Sequence, residues 1–321
     1  MMIIFFIFIL SKIVHSNENN FNGTLTQQYL LDIGYTFDSG EINLYNRTLN
    51  ITSIAPYTFS KFTKLRNLSL PFGTMETLTS TAFRGINSLQ NLDLYFAGIK
   101  SIENNSFVDL NNLKTLFLFG NKIENLNGET FMDLNQLETL NLGFNNLITI
   151  EPNLLSQLTN LKSICFYANQ ITSLNSSDLF ANNKALEIVN FSDNNITFIH
   201  EDLFFGLTQL QQVDFSYNHL IIIEPRLFLN LQRLYFIDLS WNLISNLDKN
   251  LFQNLSSMWQ INLQNNHFKT IDFNALQGCN GIKFICLRSF YFFSNFTLNV
   301  TGLKNLRIQD ALNENCGYNP S

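Results

Sequence analysis

The chain has 321 residues, 45% of them hydrophobic, enough for two ordinary domains or one long repeat array. Charged residues are only 14% of the total and the formal net charge is −6, where soluble domains average roughly 25% charged. That balance leaves no basic footprint for nucleic acid and argues against docking on an anionic membrane surface.

Residues 1–16 read as a secretory signal peptide. Residues 2–10 are apolar but too few to span a bilayer. Val14 and Ser16 are small enough for the −3 and −1 positions of a cleavage site before Asn17, although Lys12 follows the apolar run where a basic residue usually precedes it. No later window reaches the ~18 apolar residues of a membrane helix, and residues 282–300, the nearest approach, are broken by Lys283 and Arg288. The chain ends at Ser321 with no apolar tail of the kind a lipid anchor needs. The mature protein is therefore expected to be secreted and extracellular, with no membrane span. Sequons at Asn22, Asn46, Asn50, Asn67, Asn104, Asn175, Asn190, Asn195, Asn254, Asn295 and Asn299 fit that compartment.

Residues 17–41 are expected to form an N-terminal cap, and residues 42–64 an irregular opening repeat that carries Ile54 and Phe59. From Leu65 one frame holds, L-x-x-L-x-L-x-x-N-x-L-x-x-L-x-x-x-x-F-x-x-L-x-x. It restarts at Leu89, Leu113, Leu137, Leu161, Leu186, Leu210, Leu234 and Met258, with a tenth start at Ile282. Every step is 24 residues except the one after Leu161, where Phe180 arrives one residue late. Residues 42–281 are the array, and residues 282–321 a C-terminal cap in which Leu303, Leu306 and Ile308 suggest a last shortened strand.

The L-x-x-L-x-L stretch has the period of a strand, apolar side chains inward and the others outward. Stacked copies give a parallel sheet with neighbours about 4.8 Å apart. The ninth position holds Asn121, Asn145, Asn169, Asn194, Asn218, Asn242 and Asn266, inward amides suited to backbone groups that the bend leaves buried. Gly73 and Ala97 interrupt that ladder, so the first two repeats are expected to be looser. The nineteenth position holds Phe83, Phe107, Phe131, Phe204, Phe228 and Phe252, with Phe180 offset by one and Leu155 and Leu276 as exceptions. It reads as a core spine, not a cofactor slot.

This frame resembles the typical class of extracellular leucine-rich repeats, as in Toll-like receptor ectodomains and insect secreted immune proteins. The resemblance covers about residues 42–310. It implies an α/β solenoid, a horseshoe with a concave parallel sheet and convex loops or short helical turns. It also implies recognition of a protein, a glycan or a lipid, with a role in innate immunity. The chain lacks the cysteine clusters that many relatives carry on either side of the repeats, and it shows no transmembrane or signalling segment. An extracellular-matrix or adhesion protein, and a soluble fragment of a longer receptor, are the rival readings.

Outward strand positions are the third, fifth, seventh and eighth. There, Tyr95, Phe96, Phe117, Phe119, Phe144 and Tyr167 place aromatic side chains on the concave face of repeats two to five, the kind of exposed cluster that marks an interaction surface. Asn67 and Asn190 put sequons on the concave face at either side of that window. Phe72, Tyr217 and Trp241, also in the eighth position, carry less weight because the family often has an aromatic there. In later repeats Asp214 and Asp238 stack in the fifth position beside Asn262, which reads as a solvated acidic face.

Cys165 and Cys286 share the fifth position five repeats apart, about 24 Å and beyond disulfide reach. A disulfide must then join two of Cys279, Cys286 and Cys316, which leaves Cys165 either as a semi-buried inert thiol or as the link to a second chain in a disulfide-bonded oligomer. His200, His219 and His267 have no companions at metal-ligand spacing, and no nucleophile elbow, phosphate loop or zinc-protease motif occurs. The sequence thus carries no catalytic residue, no metal and no cofactor, and reads as a binding protein.

Overall fold

A computed structural model describes residues 21–45, 49–268, 273–276, 279, 281–287 and 307–309. The signal peptide, Asn46, Asn295, Asn299, Leu303, Leu306 and Cys316 lie outside them.

Twelve three-residue strands pair in parallel in chain order along one face: Glu41–Asn43, Asn67–Ser69, Asn91–Asp93, Thr115–Phe117, Thr139–Asn141, Ser163–Cys165, Ile188–Asn190, Gln212–Asp214, Phe236–Asp238, Gln260–Asn262, Phe284–Cys286 and Arg307–Gln309. Each occupies positions three to five of its repeat, so the register advances by one repeat per strand, as in Asn91↔Thr115 and Thr139↔Ser163. The opening repeat, the tenth start and the shortened strand at Ile308 all join this sheet.

The opposite side is built from successive turns, with two short strand pairs and a 3-10 turn at Phe273–Leu276. Under it the phenylalanines stack from repeat to repeat, with Phe59–Phe83 centroids 6.1 Å apart and Phe228–Phe252 also 6.1 Å. The stack breaks at Leu155. There a second one starts in the sixth position, Phe166–Phe191–Phe215 at 5.0 and 5.6 Å, and it meets the resumed spine through Phe180–Phe191 at 6.3 Å.

The asparagine ladder behaves as its position requires. Asn218 Nδ2 donates to the Phe191, Phe215 and Ser216 carbonyls while its Oδ1 accepts from Ile196 N. One buried side chain thus satisfies backbone groups of two turns.

The expected loosening of the first two repeats does not occur. Where asparagine is missing, the backbones close up and the Ala97 carbonyl accepts Met75 N–H directly at 2.9 Å. A Cβ on Gly73 would lie 2.5 Å from the Ile51 oxygen. Glycine here permits a contact that replaces the amide.

At the N-terminal end, strand Phe21–Leu25 pairs with Leu49–Ile54, and the short helix Gln27–Asp32 is capped by Thr26 Oγ1 accepting from Tyr29 N. The first concave strand would expose an unpaired edge. Tyr35 covers it: its hydroxyl donates to the Asn43 carbonyl (2.7 Å) and accepts from Asn43 N (3.0 Å).

Candidate binding site

The eighth position of the repeat, just past each concave strand, turns left-handed. Phe72, Phe96, Phe144, Ala168, Asp193, Tyr217, Trp241 and Asn265 all have φ between 51° and 58°, and Gly120 has φ 72°. Side chains other than glycine pay roughly 1 kcal/mol for this conformation, yet only one of these nine positions uses glycine. The bend that starts each return path needs it, and the outward side chains line up along one edge of the sheet.

In the first half of the array that edge carries packed aromatic rings as far as Phe144. Phe72 and Phe96 stack at 6.0 Å and 7°, and Tyr45 meets Phe72 edge-on at 5.5 Å. Phe96 leans over Gly120, where a Cβ would sit 2.3 Å from its ring. Phe119 packs against Tyr95 (4.9 Å), Phe96 (5.7 Å) and Phe144 (5.7 Å) and approaches Gly143. Tyr95 also touches Phe117 at 6.3 Å.

Five of the six aromatic residues expected on the concave face, Tyr95, Phe96, Phe117, Phe119 and Phe144, therefore form one cluster. Tyr167 stands apart from these ring contacts. Phe119 is a correction: at 2% exposure it is core, because two neighbouring glycines let the rings collapse onto it. Tyr95, Phe96, Phe117 and Tyr167 are half-buried, and Phe144 alone is largely open, at 52%.

The later repeats differ. Asp193, Tyr217, Trp241 and Asn265 form one wall of a hollow of about 510 Å³, with Asn195, His219 and His267 on the other wall and the asparagine ladder as floor. Tyr217 and Trp241 stack at 5.2 Å and 12°, and both stay about half-exposed. Sequence reasoning gave these two rings little weight. The signal that could have found them is their run beside Asp193 and Asn265, which supply no large apolar neighbour.

Asp214 and Asp238 are also corrected, since they are not a solvated face. Each accepts the N–H and hydroxyl of the serine two residues on, Asp214 from Ser216 (2.8 and 2.7 Å) and Asp238 from Ser240 (2.8 and 2.6 Å). Asp238 also accepts from Asn262 at 2.8 Å. Asn190 does the same with Ser192, so the fifth position is a local cap for the strand end. Burial, then the neighbouring Asp214 carboxylate, pushes the Asp238 carboxyl up to about 7. Burial raises Asp214 too, against the lowering pull of Ser216.

Cys165 occupies the same position. Burial pushes its thiol up to about 11, which depletes the thiolate that disulfide exchange requires. Cys279 is buried, with Sγ 3.3 Å from the Phe252 carbonyl, and its thiol is pushed up to about 12 by burial. Cys286 is buried as well. No disulfide forms among the described residues, and a pairing through Cys316 lies outside them. No group of three or more histidine, cysteine, aspartate or glutamate side chains that could hold a metal is found among the described residues.

The sequence matches the leucine rich repeat family over residues 63–123, 88–147, 120–171, 167–220 and 184–244, together more than half of the chain. The chain belongs to the leucine-rich-repeat family.

Similar solved structures carry the same solenoid. A leucine-rich-repeat protein of Leptospira interrogans is 24% identical with a TM-score of 0.68, covering 83% of this chain and 67% of its own. TLR13, in its complex with ssRNA13, is 23% identical with a TM-score of 0.70, covering 84% of this chain and 42% of its own. An internalin of Listeria monocytogenes is 18% identical with a TM-score of 0.63, covering 90% of both chains. This chain therefore spans about two fifths of the length of the TLR13 chain it matches. No curated protein matches the sequence. A leucine-rich-repeat solenoid of this kind is a binding scaffold, and its solved relatives include Toll-like ectodomains. No helix among the described residues is long and apolar enough to cross a membrane.

Six sequon asparagines, Asn22, Asn67, Asn104, Asn175, Asn195 and Asn254, are exposed, whereas Asn50 and Asn190 are half-buried. Asn67 and Asn190 do flank the aromatic cluster on the concave side, at the strand starting with Asn67 and the strand ending with Asn190.

Proposed function

We propose that this leucine-rich-repeat protein is secreted and recognises an extracellular protein partner through the concave face of repeats two to five. The observation that carries this reading is the joined aromatic cluster, whose inner rings are held rigid by packing while Phe144, Phe117 and Tyr95 offer surface to a ligand. Rigid aromatic anchors bind at low entropic cost. Drosophila Toll, which shares the fold at 19% identity with a TM-score of 0.52, is found in complex with the protein Spatzle, and that analogy favours a protein partner over a glycan or lipid. The net charge of −6 disfavours the RNA seen with TLR13. The same scaffold supports a binding role, which we favour over catalysis, and innate-immune recognition is the setting we favour over a matrix role.

The test is a pull-down from extracellular fluid with wild-type protein, a Phe144→Ser/Tyr167→Ser variant and a Tyr217→Ser/Trp241→Ser variant. A partner lost only with the first variant supports the concave site. A partner kept by the first and lost by the second moves recognition to the later repeats.

A further inference from the structure

The hollow beside Tyr217 and Trp241 has room for an occupant. Two large rings stand about half-exposed on a left-handed backbone, beside a space whose volume of about 510 Å³ lies within the range of small-ligand sites, about 300–1,000 Å³. The floor offers no spare hydrogen bonds of the Asn218 or Asn242 amides, whose donors and acceptors are already spent on backbone. The walls add one carboxylate, Asp193, together with amide and imidazole groups. Aromatic surface with scattered hydrogen-bonding groups and a single carboxylate suits a polyhydroxyl ligand better than an apolar chain.

One wall already contains the attachment point for such a ligand. Asn195 begins the sequon Asn195-Ile196-Thr197, its side chain is exposed, and its backbone N–H is held by the Ile171 carbonyl while its side-chain amide makes no hydrogen bond among the described residues. Among the other sequons, Asn104 Nδ2 donates to Glu129, Asn175 Nδ2 to Ser173 and Asn50 Nδ2 to Asn22, and of the sequon asparagines among the described residues Asn195 is the one that lines this hollow. His219 occupies the same position in the next repeat, about 4.8 Å along the solenoid, and Tyr217 lies two residues before it across the hollow.

We propose that the hollow holds the N-linked glycan of Asn195, with its innermost N-acetylglucosamine packed against Tyr217 and Trp241. This rests on the reading that the protein is secreted. In the transfer, a bond forms between Asn195 Nδ2 and the anomeric carbon of a lipid-diphosphate-linked oligosaccharide. The anomeric C–O bond to the diphosphate breaks, and the amide proton passes to water. The sugar then covers with its C–H face the ring surface that no side chain of the neighbouring repeats covers, and Asp193 and Asn265 face its hydroxyls. In the first half of the array the same edge is covered by phenylalanine, so the glycan does in the later repeats what Phe96 and Phe119 do in the earlier ones with protein atoms.

The experiment uses the full chain produced in a secreting eukaryotic cell, with Tyr217→Ser/Trp241→Ser and Asn195→Gln variants. Glycopeptide mass spectrometry reads occupancy, proton NMR reads the sugar's acetyl methyl, and thermal unfolding reads the coupling. The expected result is an occupied Asn195 whose acetyl methyl is shifted upfield by the rings, returning to its free position in the ring variant at unchanged occupancy. Asn195→Gln should lower Tm in the wild-type background and leave the ring variant unchanged, a non-additivity that contacting groups show and a freely waving glycan does not. Sugar on Asn67 and Asn254 but none on Asn195 overturns the proposal, as does an occupied Asn195 whose acetyl methyl ignores the ring substitutions. No sugar at any sequon overturns it together with the secreted reading, which separates the two failures.

Discussion

The two halves of the eighth-position edge share a backbone and differ in outcome. Phe96 and Phe144 in the first half and Tyr217 and Trp241 in the second all sit at φ between 51° and 55°. In the first half Gly120 and Gly143 leave room for rings to fold over one another, and Phe119 ends at 2% exposure. In the second half the flanking residues are Asp193 and Asn265, Tyr217 and Trp241 stack on each other, and a hollow remains beside them. An aromatic residue in an outward position is thus core or surface according to what stands one repeat away.

The largest effect that sharpens this contrast is expected from truncating one ring in each half. Phe119→Ala should cost about 3 kcal/mol, as for a buried phenylalanine, while Tyr217→Ala should cost about 1 kcal/mol or less. Equal losses in chemical denaturation would erase the distinction between closed and open edges. A somewhat smaller effect is expected from filling the same position on both sides. Gly120→Leu must displace the Phe96 ring and should cost about 2–3 kcal/mol, whereas Ala168→Leu, in an already left-handed residue bordering a hollow of about 320 Å³, should stay within about 1 kcal/mol.

The smallest effect concerns pH. The Asp238 carboxyl is raised in the folded state, so between its ordinary value near 3.8 and about 7 the folded protein holds more protons than the unfolded chain. Stability contributed by this pair is therefore highest below that window and falls as pH rises through it. Asp214→Asn removes the like charge that helps raise Asp238, and Asn190 with Ser192 already demonstrates that asparagine serves in this position. The variant should lose part of the decline in Tm between pH 5 and pH 8 and unfold about 3 °C higher at pH 8. A wild-type Tm that climbs across that interval with no change in the variant would contradict the buried-pair account.

Much of this was legible in the residues. The frame restarting at Leu65, Leu89 and Leu113 located one concave strand in each repeat, within the L-x-x-L-x-L stretch, and the ladder from Asn121 to Asn266 did the work its inward position implied. Aromatic candidates were found, but Phe119 was placed outside because alternation along a strand says nothing about Gly143 in the next turn. Gly73 was read as a weakness because a missing amide is visible in sequence and the Ala97 carbonyl that replaces it is not. Asp214 and Asp238 were read as solvated because Ser216 and Ser240, two residues away, look like ordinary surface.

What the sequence by itself determined is everything that repeats: the period, the inward positions, the parallel order of strands and the family. Each depends on residues at fixed short spacing, and nine copies of one pattern average out local exceptions. What only the tertiary structure decided is everything lateral. Whether Phe96 closes over Gly120, whether Asp214 meets Asp238, and whether Tyr217 and Trp241 border an open hollow all depend on side chains 24 residues apart in sequence and about 4.8 Å apart in space. At that distance a single methyl group or charge changes exposure, and a repeat pattern that treats all outward positions alike does not contain it.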